Sequence, residues 1–359
     1  MMHCTLRRAA GIGLALFASL AGAASGADGR SAALHAQIAA AKAKLVSHLP
    51  QVADRLKAIP GLLTRLVTDD SFLDETAKPA WMTDADFWAV NQLEVRLDSG
   101  LVDQIVSGTP HAVARVRGPD DVVFVSNADH AMQPLALYVP AAYTPARPAS
   151  LVVWLHGRGE TENDIIAIPG LQQLADMTGT IVAAPYSRGD SGYADPASDD
   201  IYQVLDILRH AFVTDPNRVY LAGDSMGGFG VYHVGWRHPQ LWSGFLSVIG
   251  GIDPADHVQL TAFRGKRVYV VSGRNDQNVG VQPSRDAVRE LQLAGADVHY
   301  YEQPDAGHSM HAVFPSITKA WNDMFAARGP KPPETSTQLG PTATSAPTPQ
   351  PVPTRVAPP

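Results

Sequence analysis

Basic residues, cysteine and long apolar runs are all scarce in this sequence, and each scarcity removes a class of function. Lysine and arginine number 28 against 35 acidic residues, for a formal net charge of -7. Nucleic acid selects a basic face, and no block of lysines or arginines supplies one, so no nucleic-acid partner is expected. The one cysteine, Cys4, sits at the extreme amino terminus. A chain that has shed this terminus would have neither a disulfide nor a thiol nucleophile. His-Glu-x-x-His is missing, and His308-x-x-His311 lacks further spaced ligands, so no metal site is expected. Gly11-x-Gly13 lies in the apolar leader and is no dinucleotide loop, so no cofactor is expected either.

Arg7 and Arg8 precede an apolar stretch over residues 9–20, and small residues follow to Ala27. A positive region, an apolar region and a small-residue cleavage zone are the pattern of a secretory signal peptide over residues 1–26. The apolar stretch is shorter than the roughly 20 residues a span requires, so cleavage is favoured over anchoring. The expected location is secreted or periplasmic, with no stable membrane span after cleavage. At the other end, residues 329–359 hold ten prolines among 31 residues and almost no large apolar side chain. Such a segment cannot bury enough surface to offset its chain entropy and reads as a disordered tail.

Between these ends, hydrophobic residues at 45% and charged residues at 18% suit a globular core. Residues 27–108 read as a helical extension, with helical stretches over 31–67, broken at Pro50 and Pro60-Gly61, and over 84–106. Residues 109–328 change character. Short apolar runs near 113–116 and 122–125 flank Gly118-Pro119-Asp120-Asp121 and predict a hairpin. Strands are then predicted at 135–139, 151–155, 180–184, 218–222, 244–249, 267–272 and 297–302. Helices are predicted at 165–177, 199–212, 226–237, 284–293 and 311–327. That alternation implies an α/β fold with a mostly parallel sheet flanked by helices.

The sharpest chemical signal is Gly223-Asp224-Ser225-Met226-Gly227 after the apolar run ending at Ala222. Gly-x-Ser-x-Gly between a strand and a helix is the setting of a nucleophile elbow. The serine needs a base and an acid, expected in the order Ser, acid, His. His308 lies in the loop past the last strand and is the candidate base, with His257, His299 and His311 as competitors. Asp276 follows the strand ending at Ser272 and is the candidate acid, with Asp253 as its rival. The loop His156-Gly157-Arg158-Gly159-Glu160 follows an early strand. With it, the backbone amides of Arg158 and Met226 become the candidate oxyanion hole. His156 and Glu160 read as loop residues rather than as base and acid. The connections are short, and the longest, residues 186–199, is small, so a largely open site is expected.

With these residues in place, residues 134–324 resemble an esterase-type α/β hydrolase. The similarity is to secreted feruloyl esterases and polyhydroxyalkanoate depolymerases, and extends to prolyl-oligopeptidase-like serine hydrolases. Tyr138-Val139-Pro140 and His238-Pro239 also look like that group. The resemblance implies a serine hydrolase acting on an ester substrate, possibly a polymer-linked one, without metal or cofactor. A serine peptidase with the same triad and a non-catalytic binding protein on the same scaffold remain the alternatives.

Overall fold

The computed structural model describes residues 29–57, 59, 61–74 and 78–326. The leader at 1–26, the tail at 329–359 and Pro60 of the expected helix break lie outside the described residues. No helix among the described residues is long and apolar enough to cross a membrane.

Four helices come first: α1 (Gly29–Ser47), α2 (Leu49–Leu56), α3 (Leu62–Phe72) and α4 (Asp84–Ser107). The run breaks at His48, and Pro50 sits in the first turn of α2, where its missing N–H costs no hydrogen bond. Thr83 caps α4 by accepting the Asp86 N–H, Asp84 and Asp86 add negative charge to its first turn, and left-handed Gly108 ends it.

The rest alternates β1 (Gly118–Val125), β2 (Met132–Val139), β3 (Ala149–Leu155), α5 (Glu162–Ile166), α6 (Pro169–Thr178), β4 (Thr180–Pro185), α7 (Ala197–Ala211), β5 (Thr214–Asp224), α8 (Met226–Gly235), β6 (Gly244–Val248), β7 (Arg267–Gly273), α9 (Gln282–Leu293), β8 (Asp297–Gln303) and α10 (Met310–Ala326). The eight strands form one sheet in the order β1-β2-β4-β3-β5-β6-β7-β8. β2 runs antiparallel to both β1 and β4, and every pair from β4-β3 to β7-β8 is parallel. This is an α/β-hydrolase sheet carrying a helical amino-terminal region.

Two expectations need correction. The hairpin joins β1 to β2, not residues 113–116 to 122–125, because Val113–Arg115 is a 3-10 turn and Pro119-Asp120-Asp121 lies inside β1. β1 is an edge strand, where a proline without an N–H is tolerated. The single helix expected at 165–177 is two, α5 and α6, because Pro169 opens a new helix and cannot continue the old one.

Side chains alternate across the sheet. Val153, Leu155, Leu221 and Val270 face one layer of helices, and Val152, Trp154, Tyr220 and Val271 face the other. Burial of each such side chain contributes about 1.5–3 kcal/mol. A third core unites α1 to α4 with Val123 and Tyr186 of the sheet region. The extension also binds through buried charge. Arg65 of α3 donates to both oxygens of Glu162 on α5, at 2.5 and 2.8 Å, and its guanidinium stands 4.8 Å over the Tyr186 ring. The helical region and the sheet region belong to one compact unit.

Candidate active site

The parallel strands end on one edge, and loops leaving that edge carry the chemistry, as open α/β sheets generally arrange it. β5 ends at Asp224 and α8 begins at Met226, leaving Ser225 alone on the turn. Its backbone has φ 51° and ψ -116°, a left-handed conformation that non-glycine residues rarely adopt. Its N–H donates to the Val248 carbonyl at 2.9 Å, which ties the turn to β6. The flanking glycines are needed for space. A Cβ on Gly227 would fall 1.9 Å from the Leu155 carbonyl oxygen, and one on Gly223 would fall 2.4 Å from the Gly227 carbonyl oxygen.

Ser225 Oγ lies 2.8 Å from His308 Nε2, and His308 Nδ1 lies 2.6 Å from Asp276 Oδ2. Thus loops after β5, β7 and β8 bring together the three residues singled out in the sequence. Asp276 Oδ1 accepts the N–H groups of Asn278 at 2.8 Å and Val279 at 3.0 Å. Burial would raise the Asp276 carboxyl, but the bonds from His308 and these two amides outweigh it and hold it down at about 2.

The competitors are elsewhere. Asp253 accepts the Ala255 N–H and caps a 3-10 turn. His299 stacks on Tyr269 within the sheet, and His311 stacks on Trp81 with ring centroids 3.6 Å apart. His257 is itself the left-handed cap of that 3-10 turn.

The loop after β3 lies against the elbow. His156 is fully buried, with Nδ1 2.8 Å from the Gly157 carbonyl and Nε2 2.9 Å from the Tyr186 carbonyl, so it braces the loop. Tyr193 donates to the His156 carbonyl at 2.7 Å, which pins the 186–199 connection down. Gly157 N–H donates to Glu160 and Gly159 N–H to Asp190. Between them the Arg158 N–H makes no hydrogen bond among the described residues. The Met226 N–H opens α8, where a helix leaves its first amides unpaired. These are the two amides assigned to the oxyanion in the sequence.

One pair escaped the sequence reading. Glu160 hydrogen-bonds Asp224, the residue before Ser225, and also accepts the Gly157 N–H at 2.8 Å. Asp224 in turn accepts from Trp154 Nε1 at 2.9 Å. Burial raises both carboxyls, Asp224 to about 6 and Glu160 well above its usual range, and the Asp224 charge pushes Glu160 further. Touching carboxylates cannot both ionise cheaply, which favours sharing a proton between them. It clamps the loop of Arg158 to the elbow of Ser225. Glu160→Gln keeps an acceptor for Gly157 and a donor for Asp224, and turnover should stay within a few-fold of the parent. Glu160→Ala leaves the Gly157 N–H without this acceptor and Asp224 with only its bond from Trp154. It should lower stability by about 1–3 kcal/mol and kcat by about 10²-fold through a displaced loop. Melting temperature and single-substrate kinetics check this, and equal behaviour of the two variants would remove the clamp.

Comparison with known proteins bears on the family and the fold. The family described as "Putative esterase" matches residues 127–325, more than half of the chain. The chain belongs to this esterase family. "Putative esterase NocK" of Nocardia uniformis subsp. tsuyamanensis is 30% identical over 120 residues, covering 30% of this chain and 34% of that protein. A bifunctional acetylxylan esterase/xylanase of Neocallimastix patriciarum is 32% identical over 103 residues, covering 27% of this chain and 15% of that one. The chain therefore spans about a third or less of these relatives. An S-formylglutathione hydrolase from Staphylococcus aureus shares the fold with a TM-score of 0.51 at 16% identity, over 58% of this chain and 96% of its own. Residues 29–126 lie outside the family match, so the helices α1 to α4 are an addition to the esterase core.

Proposed function

We propose that this esterase-family chain hydrolyses carboxylic esters through a Ser225 acyl-enzyme. The observation that carries the reading is the chain of contacts from Ser225 Oγ through His308 to Asp276, at 2.8 and 2.6 Å, on a strained strand-to-helix turn. His308 Nε2 takes the Oγ proton as the oxygen attacks the ester carbonyl. The amides of Met226 and Arg158 hold the oxyanion of the tetrahedral intermediate. His308 then gives its proton to the leaving oxygen, the carbon–oxygen bond breaks, and the neutral alcohol departs as the acyl-enzyme forms. Water, deprotonated by His308, attacks the acyl carbonyl, and collapse of the second intermediate returns Ser225 with its proton.

A serine peptidase would use the same residues. An amide leaves only when its nitrogen is protonated, and peptidases offset this harder step with extended peptide binding. Among the described residues, the α1 to α4 region is the candidate for such binding that lies outside the family match. An ester and an anilide sharing one short acyl group separate the readings. The ester should show the higher kcat/KM by at least about 10³-fold. Equal rates would overturn the esterase reading in favour of a peptidase.

A further inference from the structure

We propose that the cavity between α4 and the hydrolase core is a subsite for one arm of the ester. It accepts an apolar, ring-sized arm without negative charge, and Trp81 and Val90 set its selectivity. This deepens the esterase reading and rests on it.

The cavity measures about 720 Å³, within the range of small-molecule sites. Three elements wall it: the turn and first half of α4, the junction of α5 and α6, and the first turns of α10. Most of the lining is apolar, with Trp81, Val90, Ile165 and Phe314 among it. The aromatic and aliphatic faces fit a ring.

Two borders tie the cavity to the triad. Ser309, which follows His308, lines one side. Glu160, whose carboxyl bonds Asp224 next to Ser225, lines the other. Through these two residues the cavity borders the loop that carries His308 and the loop paired with the Ser225 elbow. The expectation of a largely open site therefore changes, since the amino-terminal helices wall the flank beside the base.

The charge on the lining is of one sign. Asp86, Glu94 and Asp164 line the cavity beside the raised carboxyl of Glu160, and no lysine or arginine among the described residues lines it. His311, the one imidazole lining it among the described residues, is lowered by burial and lies flat against Trp81, so it brings no cation at neutral pH. An arm bearing a carboxylate would lose water here among acidic groups, with no cation among the described lining residues to receive it. The wall that carries Trp81, Asp86, Val90 and Glu94 lies outside the family match at 127–325, so this selectivity belongs to the chain's own extension.

The test uses the full-length enzyme and five esters. Methyl acetate has no arm to fill the cavity. Methyl 3-phenylpropanoate places a ring on the acyl side, and 2-phenylethyl acetate places one on the alcohol side. The 4-carboxy derivative of each ring ester adds the negative charge. The parent should prefer one uncharged ring ester over its 4-carboxy derivative by about tenfold or more in kcat/KM. Val90→Phe fills the cavity and Trp81→Ala removes one wall. Each should lower kcat/KM for that ring ester by about tenfold while methyl acetate changes less than about twofold. Parity between charged and uncharged esters on both sides overturns the proposal. So does an equal fall for methyl acetate and the ring ester. The charge preference is read on the parent enzyme and stands even if a variant does not fold. Hydrolysis of methyl acetate and its loss in Ser225→Ala test the esterase reading separately.

Discussion

Ser225→Ala should fold like the parent and lose about 10⁶-fold in turnover on p-nitrophenyl acetate. The fold is safe because alanine keeps the Cβ, so the substitution adds no steric demand to a backbone already held at φ 51°. The Ser225 N–H bond to Val248 and the close approach of Gly227 to Leu155 are backbone features and survive. What disappears is the oxygen 2.8 Å from His308 Nε2 that would attack a carbonyl. The amides of Arg158 and Met226 remain, and an intact oxyanion site without its nucleophile leaves about 10³–10⁴-fold acceleration over water. Melting temperature, turnover and labelling by a fluorophosphonate probe should be measured together. A folded variant with more than about 1% of parental turnover would move the nucleophile away from Ser225. A parent that takes no label would favour the binding-protein alternative.

The site was legible in the sequence because its signals are local. Gly223 and Gly227 are required by contacts of 2.4 and 1.9 Å within one turn, so the motif records its own geometry. Asp276 and His308 could be ordered because each follows an apolar strand, and parallel strands of one sheet deliver their following loops to one edge. The β1 register was lost because Gly118-Pro119-Asp120-Asp121 has turn composition. Only its edge position makes it a strand, and edge position is a property of the whole sheet.

The pairing of Glu160 with Asp224 was hidden for a different reason. Sixty-four positions separate them, and a buried acid beside a second acid has no sequence signature. Residues 81–94 carried no chemical pattern at all. Their role emerges only when α4 is seen beside α10, where Trp81 meets His311 at the mouth of the loop that holds His308. Local motifs thus marked the residues that the fold brings together, and long-range packing forms the cavity beside them.

The acid is the member of the triad whose assignment discriminates most sharply, and Asp276→Asn should cost about 10⁴-fold in turnover. In the parent, Asp276 Oδ1 accepts the Asn278 and Val279 amides while Oδ2 faces His308 Nδ1. The substituted asparagine has one oxygen and one NH2. The two backbone donors claim the oxygen, so the NH2 turns toward His308. Nδ1 must then accept, its proton moves to Nε2, and Nε2 can no longer take a proton from Ser225. The protein should remain folded, because the loop keeps both backbone bonds. Asp253→Asn is the control. Its carboxylate caps a single N–H of a 3-10 turn, a role asparagine fills equally well, and turnover should change by less than about threefold. The parent carboxyl, held at about 2, stays ionised as pH falls to 5, so loss of rate over that interval does not come from Asp276. Its contribution to stability is full above the ordinary aspartate range and fades only as pH drops through about 2. If Asp253→Asn proves the costlier substitution, the acid lies after β6 and the 2.6 Å contact to Asp276 is not the one that orients the base.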